Sequence, residues 1–405
     1  MSNRLKGFLV FSFALVILLY GMILRRSPTS ASEAAIGVQT SVYLKDDIFY
    51  LFYVLLQVPF GYLLDRYPLR KVYFWVIIIS SLGAIIPAFS NALIGLGYFL
   101  VVAPLSAVFI GTLVTASRWF THRFFAIAIG FAQLISAIAI LIGKQPFVAI
   151  INQRGLTNVM VTSGIIGVVL AILSLIIFRD NSVEKPPPFD GGHYKQELRT
   201  FLKASQSWWI GLYTFFGRGT VVVFGGKWGI PFLEAKFNFS PMEMNNILAM
   251  FWFGFALLSP LFGWISEVID NRLSILRIAP ALGLLCALTL LYFPITSQSN
   301  VALLFFGVGV VGASQVLCFA LMKDRYSLRI VGFFLGFVNL CVTGGRQVFQ
   351  PLVSLYFKAI GAGSTPTVDQ MKVGLVVIPI FFAISLIISL FFIKETHCLQ
   401  SSENI

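Results

Sequence analysis

Two arginines inside long apolar segments are the residues of this 405-residue sequence with the clearest chemical meaning. Arg218 lies midway along the apolar segment 207–231, and Arg346 lies in the segment 329–350. A cation at the centre of a bilayer costs about 2.5 to 3.5 kcal/mol on insertion scales, so such a residue usually has a function. Neither segment contains a compensating acid, so the arginines predict a site for an anion. The alternative for Arg218 is a structural arginine bonded to the carbonyls of a neighbouring helix.

Polar residues at helical spacing accompany these arginines. Four of them are spaced by four, three and four residues, which places them on one helix face within about 40° of one another: Asn339, Thr343, Arg346 and Gln350. The segment 124–144 repeats this stripe more faintly with Gln133, Ser136 and Lys144. Matched stripes in two segments are expected to line a central cavity. Hydrogen bonds between helices explain Gln133 and Asn339 equally well.

A third face combines aromatic and polar residues of the segment 47–65. Tyr53 and Gln57 share this face, although an aromatic stripe more often serves packing. Lys227 is nine residues from Arg218, a rotation of about 180° on a regular helix, so only Arg218 is expected to face the cavity. Arg26, near the outer end of the first apolar segment, is added to this set. The predicted solute-binding residues are Arg218, Arg346, Arg26, Asn339, Gln133, Gln350, Tyr53 and Gln57.

The chemistry of enzymes has little support in this sequence. The run Gly225, Gly226, Lys227 lacks the glycine-rich lead and the hydroxyl residue of a phosphate-binding loop. The three histidines fall between or after the apolar segments, and the four cysteines show no paired spacing for a metal or a disulfide. We therefore predict neither an enzyme nor a cofactor or metal site.

The elements that must position these residues are membrane-spanning helices. The chain is 58% apolar and 11% charged, with a mean hydropathy of +0.89. Apolar stretches of about 20 residues, each long enough to cross the hydrocarbon core as a helix, recur from end to end. Twelve spans are predicted at 8–29, 47–65, 72–90, 95–117, 124–144, 157–178, 207–231, 244–266, 276–295, 301–321, 329–350 and 372–393.

Basic residues give this arrangement an orientation. The formal charge of +13 comes from short clusters between apolar segments rather than from one patch, which argues against a nucleic-acid partner. Most of these residues fall on one side if the N-terminus is cytoplasmic, as the positive-inside rule requires. We predict a multi-pass protein of a bacterial inner membrane with both termini cytoplasmic, whose partners are the bilayer and a small solute and which is a monomer.

The chain also repeats itself. Gly61 and Asp65 recur as Gly263 and Glu267 at one common offset, and the dipeptide Gln145–Pro146 recurs as Gln350–Pro351 at a nearly equal offset. The one long polar stretch, near 179–206, contains three successive prolines and lies between the sixth and seventh spans. We predict an N-terminal six-helix bundle over 1–180, a cytoplasmic linker over 181–206 and a C-terminal six-helix bundle over 207–405.

The segment Gly61 to Lys71, with the sequence GYLLDRYPLRK, resembles the signature loop between the second and third helices of the major facilitator superfamily. A weaker copy runs from Gly263 to Glu267 and continues to Asp270 and Arg272. The resemblance implies the fold of that superfamily: an all-α membrane protein with twelve helices in two pseudo-symmetric six-helix bundles. It also implies cytoplasmic latches that break and re-form during alternating access, and it assigns gating to Gly61, Asp65, Arg66, Arg70, Gly263, Glu267 and Arg272.

Local motifs are similar to one prokaryotic branch of that superfamily, itself similar to lysosomal dipeptide carriers and to permeases of intracellular bacteria. These motifs are Arg26–Ser27–Pro28, Gln57–Val58–Pro59, Arg118–Trp119–Phe120, Trp228 to Pro231, and Asn339 with Gln350–Pro351. The fourth span departs from the superfamily, because Tyr98 to Ala103 contains no arginine. Coupling mechanisms that use such an arginine therefore do not carry over.

We therefore predict a secondary active or facilitative transporter that moves a small carboxylate-bearing or phosphate-bearing solute by alternating access. No Asp or Glu lies deep inside a predicted span, which favours facilitated diffusion or exchange at least as much as proton coupling. A carrier of zwitterions such as amino acids or dipeptides is the first alternative. A non-transporting scaffold or sensor that kept the fold is the second.

Overall fold

Long apolar segments become helices in a membrane because only a helix or a closed barrel satisfies every backbone hydrogen bond internally. The computed structural model describes residues 3–34, 46–86, 89, 93–143, 145–178, 189–237, 239–361 and 366–399, and its regular elements are all helical. The predicted all-α fold class is therefore confirmed.

The described residues up to Lys203 form nine helices. They are α1 (Asn3–Ala34), α2 (Asp46–Leu55), α3 (Gln57–Arg66), α4 (Leu69–Ile85), α5 (Ile94–Trp119), α6 (His122–Ile142), α7 (Gln145–Arg154), α8 (Leu156–Ile177) and α9 (Gly191–Lys203).

The remainder contains α10 (Ser205–Val223), a π-helical turn (Phe224–Trp228), α11 (Gly229–Phe237), α12 (Pro241–Val268), α13 (Leu273–Tyr292), α14 (Gln298–Ala313), α15 (Gln315–Arg325), a 3₁₀ turn (Leu328–Ile330), α16 (Val331–Ala359), α17 (Val368–Gly374) and α18 (Val377–Phe391). Ten stretches of the described residues are long and apolar enough to cross a membrane. The other two predicted spans overlap α4 and α10 with its π-helical turn, respectively.

Contacts divide the chain into two compact units. The first comprises Met1–Thr121, Phe131–Glu197 and Ser327–Leu340, and the second comprises His122–Gly130, Leu198–Tyr326 and Cys341–Ile405. Each unit thus includes the start of one helix, α16 or α6, whose remainder belongs to the other unit. The predicted bundle boundaries stay a prediction.

Helix α5 is the centre of the first unit, where it packs against α1, α2, α3 and α4. Nearly all its residues from Val101 to Arg118 are buried. Its hydroxyl groups are satisfied within the helix, since Thr112 Oγ1 donates to the carbonyl of Val108 at 2.9 Å and Thr115 Oγ1 donates to that of Gly111 at 2.8 Å. An apolar helix with internally bonded hydroxyls can be buried among other helices at little cost.

Helix α14 is central in the second unit, between α12 and α13. Rings of Phe224, Phe232, Phe251 and Phe305 form the core beside it, with the centroids of Phe224 and Phe305 5.2 Å apart. Aromatic side chains bury large areas and favour such tilted arrangements. This core supports the π-helical turn, which includes Phe224.

One close helix crossing occurs in both units. In the first, Gly61 of α3 lies against the backbone of Gly332, and Gly336 lies against that of Gln57. In the second, Gly263 of α12 lies against the backbone of Ala126, and Gly130 lies against that of Ser259 and Pro260. The positions on α3 and α12 differ by one common offset, as do those on α16 and α6. Small residues let backbones approach this closely, so the internal repeat of the sequence is a repeat of packing.

Candidate functional site

Arg218 lies on α10 in the second unit and is only 9% exposed. Its guanidinium carbon is 4.1 Å from the ring centroid of Phe255 and 5.8 Å from that of Trp252, both on α12. Aromatic faces attract a cation by about 0.5 to 2 kcal/mol, more when water is excluded. The rings therefore hold the positive charge of Arg218 in place.

A glycine contact brings the helix of Arg346 against that of Arg218. Gly219 follows Arg218 and Gly345 precedes Arg346, and a Cβ added at Gly219 would lie 2.7 Å from the Cα of Gly345. The α10 and α16 backbones therefore touch next to both arginines. Arg346 is partly buried, and its Nε donates to Gln350 Oε1 at 3.2 Å, one helical turn further along α16.

The π-helical turn changes the position expected for Lys227. The rotation of about 180° from Arg218 assumes a regular helix, but the chain adopts π geometry from Phe224 to Trp228. Lys227 Nζ donates to Ser354 Oγ on α16 at 3.0 Å, and that hydroxyl donates to the carbonyl of Gln350 at 2.8 Å. Lys227 thus joins the polar stripe that carries Arg346. The pair Gly225–Gly226 was the signal in the sequence for an irregular helix.

A second group of polar side chains lies in the first unit. Gln57 is fully buried, and its Oε1 accepts a hydrogen bond from Asn339 Nδ2 at 2.7 Å. Gln57 Nε2 is buried without a hydrogen-bond partner in the described part of the chain. Tyr53 stands one turn before Gln57 and is 2% exposed, and the guanidinium carbon of Arg25 is 4.4 Å from its ring centroid.

Fewer contacts are described for the remaining predicted polar and basic residues. Gln133 is buried on α6 in the first unit, close to Ser136, whose hydroxyl donates to the carbonyl of Ala132 at 2.8 Å. Arg26 belongs to α1, but its side chain lies outside the described residues, as does Lys144. Sequence reasoning gave weight to Arg26, whereas the structure describes its neighbour Arg25 beside Tyr53.

Asp65 lies in the last turn of α3 and caps the N-terminus of α16. Its Oδ1 accepts from the backbone N of Gly332 at 2.6 Å, and its Oδ2 accepts from that of Phe333 at 2.9 Å and from the hydroxyl of Tyr194 at 3.2 Å. The first N–H groups of a helix have no partner within it and carry a partial positive charge, so a carboxylate is a fitting cap. Asp65 is therefore bound to a helix terminus 267 residues away in sequence.

Basic residues near Asp65 make contacts of their own. Arg66 is exposed, and its Nη1 donates to the hydroxyl of Tyr62 at 3.0 Å. Arg118, buried at the end of α5, donates from Nη2 to the carbonyl of Leu64 at 3.0 Å. Arg70 lies on the exposed side of α4.

A buried ion-pair network occupies the corresponding place in the second unit. Arg272 Nη2 lies 3.0 Å from Glu267 Oε1, and Arg272 Nε lies 2.7 Å from Asp324 Oδ2. Burial lowers the pKa of the Arg272 guanidinium, but Asp324 and Glu267 outweigh burial and raise it. Thr396 Oγ1 also donates to Asp324 Oδ2, at 2.8 Å.

Sequence reasoning missed Asp324. The signal was an acid between two bases, Lys323 and Arg325, directly after an apolar span.

Comparison with known proteins gives a family for the chain. The family model described as Major Facilitator Superfamily matches residues 7–345. No curated protein sequence matches the chain.

Solved structures match it over nearly the full length. The major facilitator transporter FucP in the outward conformation is similar with a TM-score of 0.74 and 13% identity, over 95% of this chain and 99% of that one. The E. coli fucose:proton symporter FucP, in a variant form, is similar with a TM-score of 0.71 and 14% identity, over 96% and 99%. The human organic anion transporter MFSD10 is similar with a TM-score of 0.67 and 11% identity, over 96% and 100%.

Proposed function

The chain belongs to the major facilitator superfamily of membrane transporters, and on that premise we propose that it carries a small anionic solute bearing a carboxylate or a phosphate. The solute is moved by alternating access, in a bacterial inner membrane, by a monomer with both termini cytoplasmic. The chain is a transporter and not an enzyme, so the proposal concerns which solute is recognised and how passage is gated.

The observation that carries the proposal is the pair of arginines flanking the contact between Gly219 and Gly345. Neither α10 nor α16 contains an acidic residue, so both helices bring positive charge without a compensating carboxylate of their own. Cations in a low dielectric attract an anion strongly. Arg218 supplies a buried cation between aromatic rings, and Arg346 supplies a second on the polar stripe with Gln350.

Further candidate contacts come from buried polar groups of the first unit. The buried Nε2 of Gln57 is a donor suited to an anionic or carbonyl oxygen, and Asn339 orients that amide through its hydrogen bond. Tyr53 stays a candidate beside Gln57, and Arg26 and Gln133 stay candidates from their place in the sequence. The structure named as an organic anion transporter shares only the fold at its level of identity, and it is compatible with this solute class.

Gating is proposed to use the two sets of contacts at the helix crossings. Gly61 and Gly263 permit the crossings, Asp65 caps α16, and Glu267 with Arg272 and Asp324 forms the ion-pair network. Arg66 and Arg70 stay candidate gating residues on the surface beside Asp65. The bundles are proposed to be 1–180 and 207–405, joined by the linker 181–206.

The test is uptake into proteoliposomes of labelled organic acids, sugar phosphates, amino acids, dipeptides and neutral sugars. For an accepted anion, Arg218→Ala and Arg346→Ala are each expected to reduce uptake about 10-fold to 100-fold, because a charge-assisted hydrogen bond contributes about 1.5 to 3 kcal/mol. Arg154→Ala, which removes an exposed arginine at the end of α7, is the matched control and should retain uptake.

Two outcomes separate the alternatives. Undiminished uptake in both arginine variants would contradict the anion site. Uptake of amino acids or dipeptides but not of simple organic acids would favour the zwitterion carrier, in which the arginines hold only the carboxylate. Monodisperse elution of each variant in detergent shows that it is folded.

A further inference from the structure

Helix α9 contacts the cap of α16 directly. Tyr194 is 3% exposed, and its hydroxyl donates to Asp65 Oδ2 at 3.2 Å. Its ring packs against Tyr62 and Phe189, with both centroid distances 5.4 Å. Burial and, after it, the charge of Asp65 raise the pKa of the Tyr194 phenol far above its usual value, so the phenol keeps its proton and stays a donor.

The next turn of α9 contacts the segment that leads into α16. Glu197 Oε1 lies 3.5 Å from Arg329 Nε, in the 3₁₀ turn that leads into α16. Gly332 and Phe333, which donate to Asp65, follow within one turn of Arg329. One short helix therefore touches the end of α3 through Tyr194 and the start of α16 through Glu197, all within the first unit.

The later part of α9 is anchored as well. Phe201 is fully buried, its ring centroid is 4.8 Å from that of Tyr326, and its carbonyl accepts from Ser207 Oγ at 2.8 Å. Tyr194 and Phe201 are separated by seven residues and so share one face, as in an amphipathic helix bound along a surface. A passive tether between two bundles needs no buried aromatic anchors, so these contacts indicate a further role.

We propose that α9 regulates the capping of α16 by Asp65. Tyr194 and Glu197 are positioning residues that hold Asp65 and the first turn of α16 together. The proposal rests on the proposed function, since it requires that the Asp65 cap open during transport. A buried carboxylate needs donors, and the Tyr194 hydroxyl is the one side-chain donor to Asp65 that the described hydrogen bonds contain. Release of α9 from Tyr62 and Asp65 is thereby coupled to release of α16.

The experiment measures opening of the cap without any solute. Phe333→Cys is introduced into the full-length chain with its four native cysteines replaced by alanine, and the rate of maleimide labelling is followed in proteoliposomes. The Phe333 backbone N–H, which donates to Asp65, is unaffected by this change. Tyr194→Phe is expected to raise the labelling rate about tenfold, because it removes a hydrogen bond to a charged group and keeps the ring. Glu197→Gln is expected to raise it about twofold to fivefold, as for a partly exposed ion pair.

The controls separate a positioning role from general loosening. Lys195→Gln changes the charge of α9 on its exposed side and should leave the labelling rate unchanged. In an Asp65→Asn background, Tyr194→Phe should add little, because the partner through which Tyr194 acts has changed. Labelling of Tyr194→Phe at the parent rate would overturn the proposal, as would an undiminished effect of Tyr194→Phe in the Asp65→Asn background. Since no solute is used, failure of the uptake panel and failure of this proposal are distinguishable.

Discussion

Gln57 and Asn339 form a buried amide pair whose two members lie 282 residues apart in the sequence. A hydrogen bond between helices in a low dielectric is worth about 0.6 to 2 kcal/mol in membrane proteins. An unpaired buried amide costs more than the bond contributes, because the group loses water without gaining a partner. The pair therefore specifies how α3 meets α16 more than it stabilises the fold.

The difference between the cost of an unpaired buried amide and the contribution of the hydrogen bond gives a prediction. Asn339→Leu leaves the Oε1 of Gln57 buried without its donor, so we expect the free energy of unfolding to fall by about 1 to 3 kcal/mol. The double replacement Gln57→Leu with Asn339→Leu removes both polar groups and should recover most of that loss. Thermal unfolding in detergent measures both. Thr289→Val, at an exposed hydroxyl on α13, is the control, and a double variant less stable than the single one would contradict the prediction.

At the scale of helices, the crossings of α3 with α16 and of α12 with α6 depend on glycine. A Cβ added at Gly61 would overlap the carbonyl of Gly332, and one added at Gly263 would lie 2.6 Å from the carbonyl oxygen of Ala126. Because the obstructing atoms are backbone, the helices themselves would have to separate. Close approach also lets Asp65 reach the first N–H groups of α16.

We therefore expect Gly61→Ala and Gly263→Ala each to lower the free energy of unfolding by about 1 to 3 kcal/mol, the usual cost of overpacking. Gly95→Ala on α5 is the matched control, since an added Cβ there meets nothing within 4 Å. That control should be neutral or slightly stabilising, because alanine favours helix more than glycine does. Equal unfolding temperatures for all three variants would show that the crossings tolerate a side chain.

At the scale of the whole molecule, the charge balance bears on energy coupling. The chain has 29 basic and 16 acidic residues, and no acid lies deep inside a predicted span. An embedded carboxylate is the usual proton carrier, so an anion is expected to cross without a compensating proton from the protein. Transport then moves net negative charge.

Uptake of an accepted monoanion should consequently respond to membrane potential. Each 100 mV is worth about 2.3 kcal/mol per elementary charge, so an inside-positive potential should accelerate uptake and an inside-negative one should slow it. Valinomycin with potassium gradients sets the potential in proteoliposomes, and vesicles containing Arg218→Ala serve as the control. Uptake that follows an imposed pH gradient but ignores the potential would instead indicate proton coupling.

Local pattern alone determined the class of this protein. The length of each apolar segment, the scarcity of charge and the repeated glycine and acid positions can be read from adjacent residues, and the bilayer permits few structures for such segments. Arg218 and Arg346 could be recognised the same way, because a cation in an apolar helix is costly wherever the helix lies. The family followed from one contiguous motif, Gly61 to Lys71.

The partners of these residues were decided only by tertiary structure. Asp65 lies in a contiguous sequence motif, but its described hydrogen bonds come from the start of α16 and from Tyr194. Arg272 pairs with Asp324, and Lys227 reaches α16 through a π-helical turn. Each contact joins residues far apart in the chain, or depends on one extra residue in a helical turn. The periodicity of a sequence indicates which face of a helix a residue occupies, but it does not indicate which helix that face will contact. Such contacts are decided only when the helices pack.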